Sequence, residues 1–278
     1  MDDHYLSINF KVNPISGIDI LIAELSFLNF EMFQEKDDEL YAFIKNSDYT
    51  DSIFNNLRIL KSNEFEISHK INVIKNINWN EQWEKNFDIV EIDKNCIIRA
   101  PFHKPSNKIY DIIINPEMSF GTGHHETTRL MAQSILEEDL NNKRLCDIGC
   151  GTGVLSIIAE KKGANEIDAV DIDIKCYKSS LKNIQRNSCK KINVIHNSVE
   201  MLIGNKYDFI LSNITLNTIV KNLKYFQQIS KPNTILIISG FYNDDLNLIS
   251  EKLKKFSFKM KEFKLLNNWV CAKYYHIQ

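Results

Sequence analysis

Leu145-Cys146-Asp147-Ile148-Gly149-Cys150-Gly151-Thr152-Gly153 leads into the apolar run Val154 to Lys162 and then to Ala169-Val170-Asp171-Ile172-Asp173. The order reads as strand, glycine turn, helix, and a second strand that ends in an acid. Leu155, Ile158 and Ala159 recur at helical spacing and mark one buried face. Gly163 stands where a helix closes with a left-handed residue. A short strand, Ile167 to Val170, then delivers Asp171. Such a unit sets bare backbone against a ligand at the helix N-terminus and a carboxylate beside a ribose. The pattern describes a nucleotide-type site.

The glycine spacing separates two cofactor classes. A dinucleotide fingerprint needs Gly-x-Gly-x-x-Gly or a closing Ala. Gly149, Gly151 and Gly153 are instead two apart, with Val154 next, so a nicotinamide dehydrogenase does not fit. The acid-x-Gly-x-Gly-x-Gly form resembles the first motif of class I S-adenosylmethionine-dependent methyltransferases. That resemblance implies S-adenosylmethionine as cofactor, glycines that admit its methionine part to the backbone, and Asp171 taking both ribose hydroxyls. An ordinary α/β protein with a glycine-rich turn is the plainer alternative.

At 278 residues two domains are the default. The hydrophobic fraction of 44% and charged fraction of 25% are those of a globular protein, and a net charge of -2 argues against a general polyanion binder. Direct nucleic-acid binding is therefore not expected. The start, Met1-Asp2-Asp3-His4, is acidic where a secretory signal is basic. No stretch approaches the ~20 apolar residues of a membrane span. Six cysteines, several in buried-strand or helix patterns, suggest reduced thiols in the cytoplasm. Cys146 and Cys150 are four apart, without a second pair to complete a zinc knuckle, and no metal is expected.

The N-terminal segment alternates apolar and polar residues from Tyr5 to Val12, breaks at Pro14 and Gly17, and takes helical spacing from Ile18 to Phe30. Strands are predicted at Met32 to Glu35 and Leu40 to Lys45, a helix capped by Asp51 from Ser52 to Leu60, and a strand from Phe65 to Val73. The order βαββαβ is the ferredoxin-like pattern. Trp79, Trp83 and Phe87 then fall four apart along a predicted linker helix, an aromatic stripe more typical of core than of a ligand site.

The second informative stretch is Asn115-Pro116-Glu117-Met118-Ser119-Phe120-Gly121-Thr122-Gly123-His124-His125-Glu126-Thr127-Thr128, just ahead of a predicted helix from Arg129 to Leu136. A loop of Gly, Thr and His before a helix is built to move and to offer donors. The apolar head Met118-Ser119-Phe120 argues that it folds back over something. Farther on, Tyr207 to Ile214 is a strand whose end presents Asn213 where open parallel sheets bind ligands. Gly240-Phe241-Tyr242 reads as a turn, and Phe258 to Leu265 and Trp269 to Tyr275 as a closing antiparallel pair. Seven mostly parallel strands make an α/β fold with a Rossmann-like sheet, preceded by the small α+β domain. The expected domains are 1–65, a linker at 66–88, and 89–278.

Together these residues resemble the bacterial ribosomal protein L-eleven (L11) methyltransferase family, and the Phe120-to-Thr128 loop is the most specific part of the likeness. The family resemblance implies trimethylation of amino groups, the N-terminal α-amine and lysine ε-amines, on that one basic ribosomal protein. It implies a substrate-recognition role for residues 1–65. Cofactor contacts are implied at Thr128, Gly149, Asp171 and Asn213, with Gly151 and Phe120 beside them, and Asn213 is the catalytic candidate. The loop Phe120 to Glu126 would close over the methyl group, with Glu126 or His124 as candidate proton acceptors. Glu117 stands where many members have Gly, and Asn115 where many have an acid. A monomer is expected. A methyltransferase for another protein or a small amine, or a catalytically silent cofactor-binding protein, are the alternatives.

Overall fold

In the computed structural model, which describes residues 5–36, 39–50, 52–62, 64–74, 87–116 and 121–277, the N-terminal alternation forms β1 (Tyr5–Asn13). Its inward residues Leu6, Ile8, Phe10 and Val12 pack with Ile18, Leu21 and Leu25 of α1 (Gly17–Leu25). β2 (Met32–Lys36), β3 (Glu39–Lys45) and β4 (Glu66–Ile74) complete a four-stranded antiparallel sheet in the order β2-β3-β1-β4. β1 lies between β3 and β4, the arrangement the βαββαβ order requires.

The second helix of that pattern is absent in α form. Two 3₁₀ turns, Ile53–Asn56 and Ile59–Lys61, stand in place of a helix from Ser52 to Leu60. Asp51, the expected cap, lies outside the described residues; Ser52 makes no side-chain cap, and β-branched and Asn residues carry poor helix propensity. A competing partner takes the backbone instead: the Glu24 carboxylate accepts from Arg58 N at 2.7 Å and Ile59 N at 3.3 Å. Phe54, Leu57 and Ile59 still reach the core.

The chain divides into two compact units, Met1–Asn86 and Phe87–Gln278. β4 pairs with β1 from Asn13↔Glu66 to Tyr5↔Ile74, so the first sheet extends past residue 65 into the stretch expected to be linker. Trp79 and Trp83 of the expected aromatic helix lie outside the described residues. Phe87 packs edge-on against Phe102 and His124, with ring centroids 6.1 and 4.5 Å apart.

The second unit opens with a small sheet, β5 (Val90–Glu91), β6 (Cys96–Arg99) and β7 (Tyr110–Ile113). β7 is not evident in the sequence, because Asp111 interrupts its apolar run. In the fold that carboxylate is a bidentate partner for buried Arg99, at 2.6 and 2.9 Å. α2 (Glu126–Leu136), β8 (Arg144–Ile148), α3 (Val154–Lys161), β9 (Glu166–Asp171), α4 (Ile174–Arg186) and β10 (Ile192–His196) follow. β11 (Tyr207–Asn213), α5 (Leu216–Ile229), β12 (Ser230–Tyr242), α6 (Leu246–Lys254), β13 (Phe258–Leu266) and β14 (Trp269–His276) complete the unit.

Seven strands run in the order β10-β9-β8-β11-β12-β14-β13, with β14 alone antiparallel to both neighbours. Side-chain alternation feeds two cores. Leu145, Phe209, Leu211 and Ile237 face α2, α3 and α4, whereas Cys146, Ile210, Leu236 and Ile238 face α5 and α6. Gly240 is not in a turn. β12 continues through it to Tyr242 with a register shift between Ser239 and Phe241, a bulge at which its φ is 101°.

Lys273 of β14 anchors the C-terminal end of α2. Its ammonium lies 2.8 Å from Glu138, 2.8 Å from Glu262 and 3.2 Å from Glu137, and the residue is 2% exposed. Burial acts to lower its pKa, but hydrogen bonds to Glu138 and Glu262 outweigh that and raise it, so the group stays charged. Lys273→Met is expected to destabilise the protein by roughly 2–3 kcal/mol, less than for a fully buried pair because Glu137 and Glu262 keep some solvent. Urea unfolding reads this directly, and an unmoved midpoint would show the cluster to be energetically neutral.

Candidate active site

The glycine turn after β8 holds its shape through three positive φ angles, 76° at Gly149, 56° at Gly151 and 78° at Gly153, the last capping α3. Gly149 N and Cys150 N both donate to Val170 O, at 2.8 and 3.1 Å. Gly151 N donates to Asp171 Oδ2 at 2.9 Å, and Asp173 N to Asp171 Oδ1 at 2.9 Å. The Asp171 carboxylate, 9% exposed, is thus aimed by backbone before any ligand arrives, with lone pairs left on each oxygen.

Side chains from neighbouring elements brace the turn. Ser180 Oγ donates to Gly151 O at 2.7 Å and Asn183 Nδ2 to Thr152 O at 3.0 Å, both from α4. From the other side, Thr152 Oγ1 donates to Gly121 O at 2.7 Å. Asn183 Oδ1 also accepts from Asn115 N at 3.0 Å, and Asn187 exchanges two hydrogen bonds with Ile113, at 2.9 and 2.7 Å. One asparagine therefore ties the glycine turn to the base of the loop ahead of α2.

Asn213 ends β11. Its Nδ2 lies 3.5 Å from Thr128 Oγ1, while its Oδ1 is buried with no hydrogen-bond partner among the described residues. A buried acceptor left empty costs free energy, so its retention points to a ligand that fills it. The next residue, Ile214, is wedged between two glycines. A β-carbon on Gly149 would sit 2.3 Å from Ile214 Cγ2, and one on Gly240 would sit 2.1 Å from Ile214 O.

These groups surround one cavity of about 600 Å³, with Gly149, Gly151, Asp171 and Asn213 all on its wall. Thr128 lies just behind, 1% exposed, and the wall there is formed by His125 and Thr127. Phe120 falls outside the described residues. Sequence reasoning missed Asn197, Ser198, Val199 and Glu200, which line the cavity after β10, together with Thr215, Thr218 and Asn222 at α5 and Trp269 at the start of β14. The rule that placed Asn213 at a strand's carboxyl end also applies to β10. No such rule finds Trp269, which opens the antiparallel strand.

Neither candidate proton acceptor lies on the cavity wall. His124 turns away, Nε2 3.1 Å from Asp88 O and its ring against Phe87. Glu126 accepts from Asn267 Nδ2 at 3.0 Å, and that hydrogen bond first among its causes lowers its pKa, making it a weaker base. His125 caps α2, its Nδ1 accepting from Thr127 N at 3.2 Å.

Glycines without β-carbons, a carboxylate preset for hydroxyls and an empty carbonyl acceptor suit an adenosyl sulfonium with its amino-acid tail. The seven-stranded sheet with its single reversed strand, carrying this cavity on its carboxyl edge, defines a class I S-adenosylmethionine-dependent methyltransferase. The family profile described as ribosomal protein L11 methyltransferase matches residues 19–276. Ribosomal protein L11 methyltransferase of Bacteroides thetaiotaomicron is 35% identical over 276 residues, covering 97% of this chain and 99% of that protein. The enzyme of that name from Chlorobaculum tepidum is 32% identical, covering 91% of each chain. The chain belongs to the ribosomal protein L11 methyltransferase family. Among solved structures, that of ribosomal protein L11 methylase from Lactobacillus delbrueckii subsp. bulgaricus shares the fold, with a TM-score of 0.64 at 21% identity over 69% of this chain and all of that one.

Asp147, one residue before the end of β8, is fully buried. Its Oδ2 accepts from Ser156 Oγ at 2.7 Å, its Oδ1 has no partner among the described residues, and burial raises its pKa to about 6. An acid that holds its proton more tightly when folded adds stability that is full below the unfolded value of 3.8 and lost as pH rises through about 6. Asp147→Asn should therefore stabilise the fold at pH 8 by on the order of 3 kcal/mol, with the gain vanishing below about pH 4. Melting temperatures across that range test it, and a gain independent of pH would refute the ionised state.

Proposed function

We propose that this enzyme methylates amino groups, the N-terminal α-amine and lysine ε-amines, of ribosomal protein L11, acting in the cytoplasm as a monomer. The observation that carries the reading is the unpartnered, buried Asn213 Oδ1 on the cavity wall, an acceptor suited to an amine N–H. S-adenosylmethionine, when bound, supplies an electrophilic methyl group on a sulfonium. Asp171 accepts the ribose hydroxyls, Gly149 and Gly151 give backbone room, and Thr128 steadies Asn213 through its hydroxyl. Phe120 belongs to the same cofactor-binding set.

The nucleophile is a neutral amine, readily available for an α-amine of pKa ~8 but not for a lysine at ~10.4. Desolvation within the cleft lowers an ammonium's pKa, and alignment by Asn213 supplies much of the remaining acceleration. With His124 and Glu126 both engaged elsewhere, no strong base is required of the protein. Release of the proton to water suffices.

Asp171→Ala should weaken S-adenosylhomocysteine binding at least tenfold by calorimetry, whereas Asn213→Ala should depress turnover of labelled methyl into L11 by about a hundredfold with cofactor affinity changed far less. Equal losses of affinity in both variants would leave Asn213 a cofactor ligand only. The first unit, residues 1–86, is assigned to substrate recognition. A chain beginning at Phe87 is expected to bind S-adenosylhomocysteine yet methylate L11 at under a hundredth of the full rate; undiminished methylation would make the first unit dispensable for recognition.

A further inference from the structure

Three aromatic rings meet at one end of the cavity. Trp269, the first residue of β14, is on its wall, with the Tyr242 ring 4.1 Å away at an interplanar angle of 35°. The His125 ring stands edge-on to Trp269 at 4.8 Å. Tyr242 comes from the end of β12 and is 46% exposed, and His125 from the cap of α2. His125 Nδ1 is held by Thr127, 3.2 Å from its N and 2.8 Å from its Oγ1.

Sheet order gives this cluster its meaning. Along the carboxyl edge lie Asp171 on β9, the glycine turn after β8, Asn213 on β11, Gly240 on β12 and Trp269 on β14. A ligand with its ribose at Asp171 and its reacting end at Asn213 runs from β9 to β11. Asn213 is in register with Ser239, and Ser239 with Cys271, so Trp269 lies two strands beyond Asn213, on the side away from Asp171. At ~4.8 Å per strand the two backbones stand about 10 Å apart, and Trp269 packs on the same face of the sheet as Phe209 and Leu211 of β11, so its indole reaches into that gap towards Asn213. The wall there also suits a cation. Among the described residues no lysine or arginine lines the cavity, and at this end the Glu126 carboxylate lies 4.0 Å from His125.

We propose that Trp269, backed by Tyr242 and His125, is the seat of the acceptor ammonium and retains it between successive methyl transfers. The proposal rests on the amine-methylation reading above. In each transfer the amine lone pair forms the new N–C bond, the C–S pair returns to sulfur, and the product leaves as a methylated ammonium. It must shed one proton to water before the next round. A methylated ammonium keeps its charge but loses hydrogen-bond donors and hydration, so a hydrogen-bonding site would release it, whereas an aromatic face holds it by cation–π attraction. Partly methylated product thereby stays in place for another turn.

The test separates charge from greasiness. N-acetyl-trimethyllysine amide is titrated into the full chain beside its neutral isostere, in which carbon replaces the quaternary nitrogen. The native protein should bind the cation about tenfold more tightly than the isostere, and Trp269→Leu should lose that margin while Trp269→Phe keeps most of it. S-adenosylhomocysteine affinity should stay within twofold in all three. With L11, mass spectrometry should show trimethylated product from the native enzyme and accumulated mono- and dimethyl forms from Trp269→Leu. A native protein indifferent to charge, or a Leu variant with unchanged preference and product pattern, overturns the proposal. Should Trp269→Leu fail to bind S-adenosylhomocysteine, Tyr242→Leu decides: about threefold loss of the cation margin supports the seat, and no loss overturns it. Failure of the amine-methylation reading shows separately, as absence of label in L11 from the native enzyme.

Discussion

The reaction edge depends on two absent β-carbons. Ile214 follows Asn213 out of β11 and must cross the top of the sheet between the turn after β8 and the bulge in β12. Its side chain occupies the space a Cβ on Gly149 would take, and its carbonyl the space of one on Gly240. Close packing tolerates no compromise at 2.1–2.3 Å. The position of Asn213 is therefore set jointly by a strand on either side, through glycines distant in sequence. Gly149 has a second duty, since its φ of 76° begins the turn that brings Gly151 N to Asp171.

That constraint explains how far the sequence could be read. The βαβ unit was legible because each of its signals is local: alternating glycines, an apolar helix face, an acid ending a strand. Seven strands and the four-stranded antiparallel sheet of the first unit were legible from apolar runs and alternation. What escaped reading depends on partners far away in the chain. The helix predicted from Ser52 to Leu60 yields to Glu24, which takes backbone donors that helix geometry would have used. β7 is hidden by Asp111, whose partner Arg99 becomes evident only in three dimensions. Gly240 looks like punctuation, yet it is a bulge made necessary by Ile214.

The site divides along the same line. Gly149, Gly151, Asp171 and Asn213 could be named because each sits at the end of a parallel strand or in the turn after one. His124 and Glu126 carry the right chemistry for proton transfer, but Asp88 O and Asn267 already occupy them. Thr127 and His125, not Thr128, form the wall beside Asn213. Titratable residue type identifies candidates. Only the hydrogen-bond partner shows whether one is free to act.

The reversed direction of β14 has a consequence for how such an enzyme diversifies. β8, β9 and β11 meet the cleft with their final residues, so altering one of those also disturbs the turn and helix that follow. β14 meets it with its first residue, directly after the tight Asn267–Asn268 hairpin, where both residues take positive φ. Changes of hairpin length or composition there act on the Trp269 end of the cleft, two strands beyond Asn213 and on the side away from Asp171. One antiparallel strand thus gives that end of the cleft a source of variation separate from the glycine turn and Asp171.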